Sequence, residues 1–413
     1  MAVKDNTEKG ESTSFEALGV LPFFIERLKE RGINAPLEIQ KDVIPLFLNN
    51  EKILFRSPTG TGKTYAYLLP LLGKFLPLPG KLEDNTERRG PRLLIAAPTY
   101  ELCSQIKAEA DFLLKGTELR TTLLIGQANL TRQIDDLRKN PPDIILGNPG
   151  RLLLLAHKEK LKLRNLRYVI LDEGDRLVSD ELMEETGELV NIIRQKTGPE
   201  KAGQLLFAAL SATFSAKSTE RLLSLMGEGV KDISSGGNIL RDQVEHWAIY
   251  CEEREKLDTL RSLVAALDPK RRKTSFKALI FTSRGSEVGK IVSLLQRRGL
   301  SAGGLMGDMK NQARKQSLDD FRGGRIKLLV TSDLAARGLD IPDLSHIIAL
   351  DLQENPDSYI HRAGRTARAG KRGIMVTIGD KKEMLRLAAL EKRLKIIVNP
   401  KELFGGRVLA VNN

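Results

Sequence analysis

Short apolar runs recur along this chain, each of strand length and each followed by a stretch with the rhythm of an amphipathic helix. KILFR (52–56), RLLIAA (92–97), TTLLI (121–125), DIILG (from 143), YVIL (168–171) and QLLFAA (204–209) form a first series. Runs that are apolar throughout, rather than alternating, predict strands buried on both faces, as in a parallel sheet covered by helices. The Ser-, Gly- and Asn-rich SSGGNILRDQ then breaks the rhythm and predicts a linker over 233–243. A second series follows: VEHWAIY (244–250), KALIFT (277–282), IKLLVT (326–331), HIIAL (346–350) and GIMVTI (373–378). The expectation is therefore α/β architecture in two tandem domains, 14–232 and 244–413, each a mostly parallel sheet flanked by helices. Residues 1–13 read as a flexible tail. Past residue 380 the pattern gives one helix, KKEMLRLAALEKRLKI, and a short end.

Composition narrows the class. At 413 residues the chain exceeds one ordinary domain, and 41% apolar residues are enough to build cores. A formal charge of +13 favours a polyanionic partner, although a basic surface kept for solubility is an equal reading of charge alone. The two cysteines lie far apart and the four histidines are scattered, so neither a disulfide framework nor a zinc site is expected. No apolar run approaches the ~20 residues of a membrane span, and the polar N-terminus does not resemble a signal peptide. A cytoplasmic monomer with no membrane association is expected.

The sharpest local signal is SPTGTGKT, Ser57 to Thr64, between the strand KILFR and a helical segment. A glycine-rich turn there aims backbone N–H groups and a helix N-terminus at phosphate oxygens. Thr59, Gly60, Thr61 and Gly62 would form the turn, Lys63 would reach the β- and γ-phosphates, and Thr64 would hold Mg2+. The match is partial, because Ser57 stands where the P-loop pattern asks for glycine. YVILDEGD (168–175) is ambiguous alone, since acidic residues after a strand often just open the next loop. Beside a P-loop it gains a role: Asp172 is placed to hold the metal and Glu173 to polarise a water as general base.

Taken with their order and spacing, these segments resemble the DEAD-box ATP-dependent RNA helicases of superfamily two, over roughly residues 15–380, with a DEGD variant of motif II. The resemblance implies two RecA-like domains, ATP and Mg2+ as cofactors, and single-stranded or short duplex RNA as partner. GINAPLEIQ (32–40) is similar to the family's Q motif, so Gln40 would read adenine and Phe15 would stack on it. SAT (211–213) resembles motif III, and Ser211, Thr213 and Asp175 would couple the ATP site to RNA. HRAGRTARAG (361–370) resembles motif VI: Arg365 and Arg368 would be arginine fingers, and His361 would couple to Asp175. TSDLAARGLD (331–340) resembles motif V, placing Asp340 near the ribose, Arg337 at the domain interface and Thr331 on the RNA backbone. RNA contacts are further implied for Pro98, Thr99, Gly126, Asn148, Arg151, Thr282, Arg284 and Arg314. Departures concentrate there: Tyr100 stands for an arginine, Gln127 for a glycine, Asn148 for a threonine and Asn311 for a glutamine. The implied activity is RNA-dependent ATP hydrolysis with local unwinding of short duplexes. The rivals are an ATP-gated RNA clamp or scaffold that turns over poorly, and a DNA-translocating enzyme.

Overall fold

The computed structural model describes residues 13–57, 61–76, 90–197, 205–234, 239–267, 276–307, 309, 311–336, 341, 344–353, 356–367 and 372–411. The chain divides near residue 235 into two compact units.

In the first unit the apolar runs become strands β1 (Lys52–Arg56), β2 (Leu93–Ala96), β3 (Thr121–Leu124), β4 (Ile144–Gly147), β5 (Tyr168–Asp172) and β6 (Leu206–Ser211), joined by β7 (Val230–Ser234). They form one sheet in the order β3-β4-β2-β5-β6-β1-β7, and all the pairings are parallel. The strands lack alternation because both faces are covered. Phe55, Ile95, Ile170 and Leu210 enter one core, while Leu54, Leu94, Val169 and Ala209 enter the core on the opposite face. Each of these Leu, Ile, Val and Phe side chains contributes about 1.5–3 kcal/mol of burial. The helices that matter for the site are α1 (Pro22–Glu30), α2 (Glu38–Leu48), α3 (Lys63–Gly73), α4 (Tyr100–Leu113), α5 (Leu130–Lys139), α6 (Pro149–His157), the short α7 (Gly174–Leu177) and α8 (Met183–Thr197).

The second unit repeats the plan with β8 (Val244–Tyr250), β9 (Ala278–Phe281), β10 (Ala302–Leu305), β11 (Leu328–Thr331), β12 (His346–Ala349), β13 (Gly373–Gly379), β14 (Val398–Phe404) and β15 (Arg407–Ala410). The order is β10-β11-β9-β12-β13-β8-β14-β15, antiparallel only at β14–β15. Both units are RecA-like, as their structural likenesses below establish.

Three features differ from the sequence expectation. The linker begins later than residue 233, because Ile233 and Ser234 pair with Phe55 and Arg56. Within its span Ile239–Asp242 form a helical turn that seats Leu240 in the second unit's core. Strand β10 has the sequence AGGL, with no apolar run to announce it; its glycines let neighbours approach, and a Cβ on Gly303 would lie 2.7 Å from Ile326 Cδ1. The short end is in fact β14 and β15, two strands that extend the sheet beyond β8 without a buried apolar run. Residues 1–12 of the expected tail lie outside the described residues. Among the described residues no helix is long and apolar enough to cross a membrane.

Candidate nucleotide and nucleic-acid site

Every parallel strand sends its following loop to the same edge of the sheet, so all the sequence-picked segments of the first unit emerge side by side. The strand order sorts them. Loops after β1, β5 and β6 carry the phosphate-type residues; loops after β2, β3 and β4 carry those assigned to RNA.

Thr59 and Gly60 lie outside the described residues. The turn closes at Gly62, whose φ of 86° is left-handed, and a Cβ there would stand 2.5 Å from Gln40 Nε2. Glycine is required on both counts. Gln40 is buried at the start of α2; its Oε1 accepts from the Leu37 N–H (2.9 Å) and its Nε2 donates to the Gly62 carbonyl (3.1 Å). Its amide therefore ties the Q-motif segment to the phosphate turn. Lys63 Nζ donates to the Ser57 carbonyl at 2.7 Å, and Ser57 Oγ lies 2.6 Å from Thr61 Oγ1. Phe15 sits in the apolar core at 2% exposure, the place its residue type alone suggests.

Asp172 ends the fully buried β5 and is itself 5% exposed. Its Oδ2 accepts from the Tyr67 hydroxyl (3.1 Å) and its Oδ1 from the Glu173 N–H (2.9 Å). Burial pushes its pKa up to about 6, against the pull of Lys63 and with the push of Glu173. Glu173 adopts φ 50°, ψ 50°, a left-handed conformation that is uncommon for a side-chain-bearing residue. It then starts α7, where Asp175 accepts a hydrogen bond from Ser211 Oγ. Ser211 also receives the Thr213 N–H on its hydroxyl (3.4 Å) and the Ser57 N–H on its carbonyl (3.0 Å). The acidic, SAT and P-loop segments thus form one hydrogen-bonded patch.

The other half of the edge is built differently. Thr99 spends its hydroxyl capping α4, accepting from the Leu102 N–H at 3.3 Å, with Pro98 half-buried before it. Asn148 occupies the N-cap of α6 without a capping bond, and its Oδ1 has no hydrogen-bond partner among the described residues. Arg151 corrects the expectation of a direct RNA contact. It is 8% exposed, and its guanidinium donates to Gln133 Oε1 (2.8 Å), Gly126 O (2.7 Å) and Ala128 O (3.1 Å). It braces the loop after β3 and leaves Gly126 and Gln127 exposed. Tyr100, by contrast, stands 40% exposed.

In the second unit Thr331 also departs from expectation: it is fully buried, and its hydroxyl donates to the Ser332 carbonyl (3.1 Å). Thr282 is buried 3.5 Å from Glu287 Oε2, Arg284 is exposed in an ion pair with Glu287 (3.1 Å), and Arg314 Nη2 donates to the Ala335 carbonyl (2.7 Å). His361 and Arg365 are half-buried. Arg337, Asp340 and Arg368 lie outside the described residues. Sequence reasoning passed over Arg362, which proves central. It is 2% exposed, pairs bidentately with Asp333 (2.8 and 2.6 Å), and reaches Asp351 through its carbonyl (2.7 Å) and carboxylate (3.1 Å). This network locks the segment resembling motif VI to the one resembling motif V. The available signal was an unassigned arginine in one motif and an unassigned aspartate in the other.

A glycine-rich turn that opens a helix and a buried carboxylate, on the loops that flank the one after β6 in a parallel sheet, are the features of a P-loop nucleotide-binding protein. Two family models match the chain: DEAD/DEAH box helicase over residues 37–222 and helicase conserved C-terminal domain over 255–370. The DEAD-box ATP-dependent RNA helicase CshC of Bacillus cereus is 35% identical over 385 residues, covering 93% of this chain and 92% of that protein. CshA of Bacillus subtilis is 30% identical over 382 residues, 92% of this chain and 72% of its own length. Among solved structures, S. cerevisiae Dbp5 bound to RNA and ADP BeF3 aligns with TM-score 0.79 and 26% identity, covering 94% of this chain and 96% of that one. Mss116p bound to ssRNA and AMP-PNP shares the fold at TM-score 0.83 and 23% identity, over 97% of this chain and 81% of that one. The chain belongs to the DEAD-box ATP-dependent RNA helicase family.

Proposed function

We propose that this protein is an RNA-dependent ATPase that separates short RNA duplexes or remodels RNA–protein complexes. The observation that carries the reading is the convergence of Lys63, after β1, with Asp172 and Glu173, at the end of β5, on either side of the β6 strand end, with Asp172 sequestered from water. A buried carboxylate whose proton is held up to about pH 6 is a charge awaiting a cation. Asp172 and Thr64 offer only oxygen ligands, the chemistry that suits Mg2+, and the bound ion would neutralise charge on the phosphates.

The remaining roles belong to side chains of this chain. Lys63 exchanges the Ser57 carbonyl for phosphate oxygens. Glu173 accepts a proton from the water that attacks the γ-phosphorus as its bond to the bridging oxygen breaks. Arg365 and Arg368 stabilise the charge that develops on the transferring group. Thr59, Gly60, Thr61 and Gly62 cradle phosphate, Gln40 engages the base, Phe15 supports the Gln40 helix from the core instead of stacking on the base, and Asp340 engages the ribose. Ser211, Thr213, Asp175, His361 and Arg337 couple that site to RNA. Gly174 in DEGD leaves both acids of motif II in place. On the RNA side Pro98, Thr99, Gly126, Asn148, Thr282, Arg284 and Arg314 contact backbone, while Arg151 and Thr331 act by shaping the loops. Backbone contacts position a strand without reading its sequence, so little sequence preference is expected. We assign the protein to the cytoplasm as a monomer.

The test is steady-state ATP hydrolysis with and without single-stranded RNA at fixed salt. Stimulation by RNA but not DNA, lost in Glu173→Gln, is expected. A rate indifferent to RNA would replace this reading with a nucleotide-gated clamp, and equal stimulation by DNA would remove the RNA assignment.

A further inference from the structure

Tyr67 is the buried group at the nucleotide site that the proposed chemistry leaves without a task. It lies on α3 three residues after Thr64, one helical turn along the same face. The whole side chain is inaccessible to water. Its hydroxyl donates to Asp172 Oδ2 at 3.1 Å. The phenol therefore touches the carboxylate assigned to the cation. Asp172 Oδ1 is held by the Glu173 N–H, so the two oxygens of the carboxylate are fixed from opposite sides and its plane cannot turn without losing a bond. Burial and the neighbouring carboxylate push the phenol's pKa well above its ordinary value, which keeps it a donor throughout the working range.

We propose that Tyr67 is a positioning residue that presets Asp172 as a ligand for the divalent cation. This rests on the metal assignment made above. Groups that orient metal ligands typically change metal affinity by 10–100-fold when removed. The competing account is a core tyrosine that found the nearest acceptor, in which case its hydroxyl affects stability alone.

Tyr67→Phe separates the two, because it deletes the hydroxyl and keeps the ring that fills the core. The full chain is titrated with Mn2+ in the presence of ADP and followed by electron paramagnetic resonance. ADP affinity is measured separately in EDTA, and thermal unfolding is recorded for each protein. The expected result is Mn2+ affinity about tenfold weaker in Tyr67→Phe, with ADP affinity in EDTA unchanged. In an Asp172→Asn background the same substitution should have no further effect on Mn2+. Unchanged Mn2+ affinity in Tyr67→Phe overturns the proposal, as does an equal loss of ADP affinity in EDTA. If the wild-type protein binds ADP but gains no Mn2+ site, and Asp172→Asn changes nothing, the metal assignment itself fails and takes this inference with it.

Discussion

The two halves of the first unit's loop edge are made from the same parallel sheet by opposite means. The half after β1, β5 and β6 is interlocked: Lys63 to Ser57, Gln40 to Gly62, Tyr67 to Asp172 and Ser211 to Asp175. Its functional groups hold each other in place before any ligand arrives. The half after β2, β3 and β4 spends its polar groups on scaffolding, with Thr99 capping a helix and Arg151 bracing a loop, and presents exposed backbone and Tyr100. Phosphoryl transfer demands fixed charges within a few tenths of an ångström. Gripping a strand by its backbone tolerates exchange of one hydrogen-bonding residue for another. Tyr100, Gln127 and Asn148, three of the positions expected from the sequence to depart from the family pattern, fall in the half assigned to RNA.

This contrast breaks most easily at Glu173. Glu173→Gln should lower ATP hydrolysis by about 10²–10⁴-fold while ATP affinity, measured by fluorescent-nucleotide binding, is kept. Retained turnover would mean the interlocked half is not the reacting centre. Arg151 is the rigid exception within the tolerant half. Arg151→Ala strands one buried and two part-buried acceptors and should cost about 1–3 kcal/mol in urea unfolding followed by circular dichroism. Arg151→Lys should recover only part, because one ammonium cannot reproduce the fork. A neutral Arg151→Ala would show that this loop needs no brace.

The protonation of Asp172 sharpens the comparison without altering a ligand. Its folded pKa of about 6 exceeds the unfolded value of about 3.9. Between those values the folded state holds the extra proton, so in cation-free protein this group's stabilisation is present at low pH and lost as pH rises toward 6. Thermal midpoints in chelator from pH 4.5 to 7 should show that decline, and Asp172→Asn should remove it. Mg2+ competes with the same proton, so its affinity should climb over the same window. The smallest effect is expected at Gly174. A Cβ there meets Ala209 and Leu222 at 3.4 Å, at the edge of ordinary contact. Gly174→Ala should therefore change stability by no more than about 1 kcal/mol and preserve ATPase activity. A large loss would show that this chain has adapted to the glycine.

Much of this was legible because buried parallel strands are written as unbroken apolar runs. KILFR, RLLIAA, YVIL and QLLFAA yielded the strands Lys52–Arg56, Leu93–Ala96, Tyr168–Asp172 and Leu206–Ser211, and Lys63 opened a helix after Gly62. Strands without that signature escaped. AGGL lies at a sheet edge where glycine admits close neighbours, and VNPKELF, between β8 and β15, mixes half-buried and exposed positions. Side-chain partnership was the less visible layer. Nothing in one dimension reveals that Arg151 turns inward, that Thr331 is sealed, or that Arg362 meets Asp333.

The sequence by itself determined the two α/β units, the phosphate turn and the identity of the acids, because local pattern and residue chemistry are written position by position. Only the tertiary structure decided which loops lie together. Along the chain the three segments assigned to RNA interrupt the phosphate-type ones; in space the order β3-β4-β2-β5-β6-β1 separates them into two fields. That sorting comes from long-range strand pairing, set by the fit of whole faces across the sheet. It also decides which charged groups are left free for a ligand and which are consumed in holding the loops.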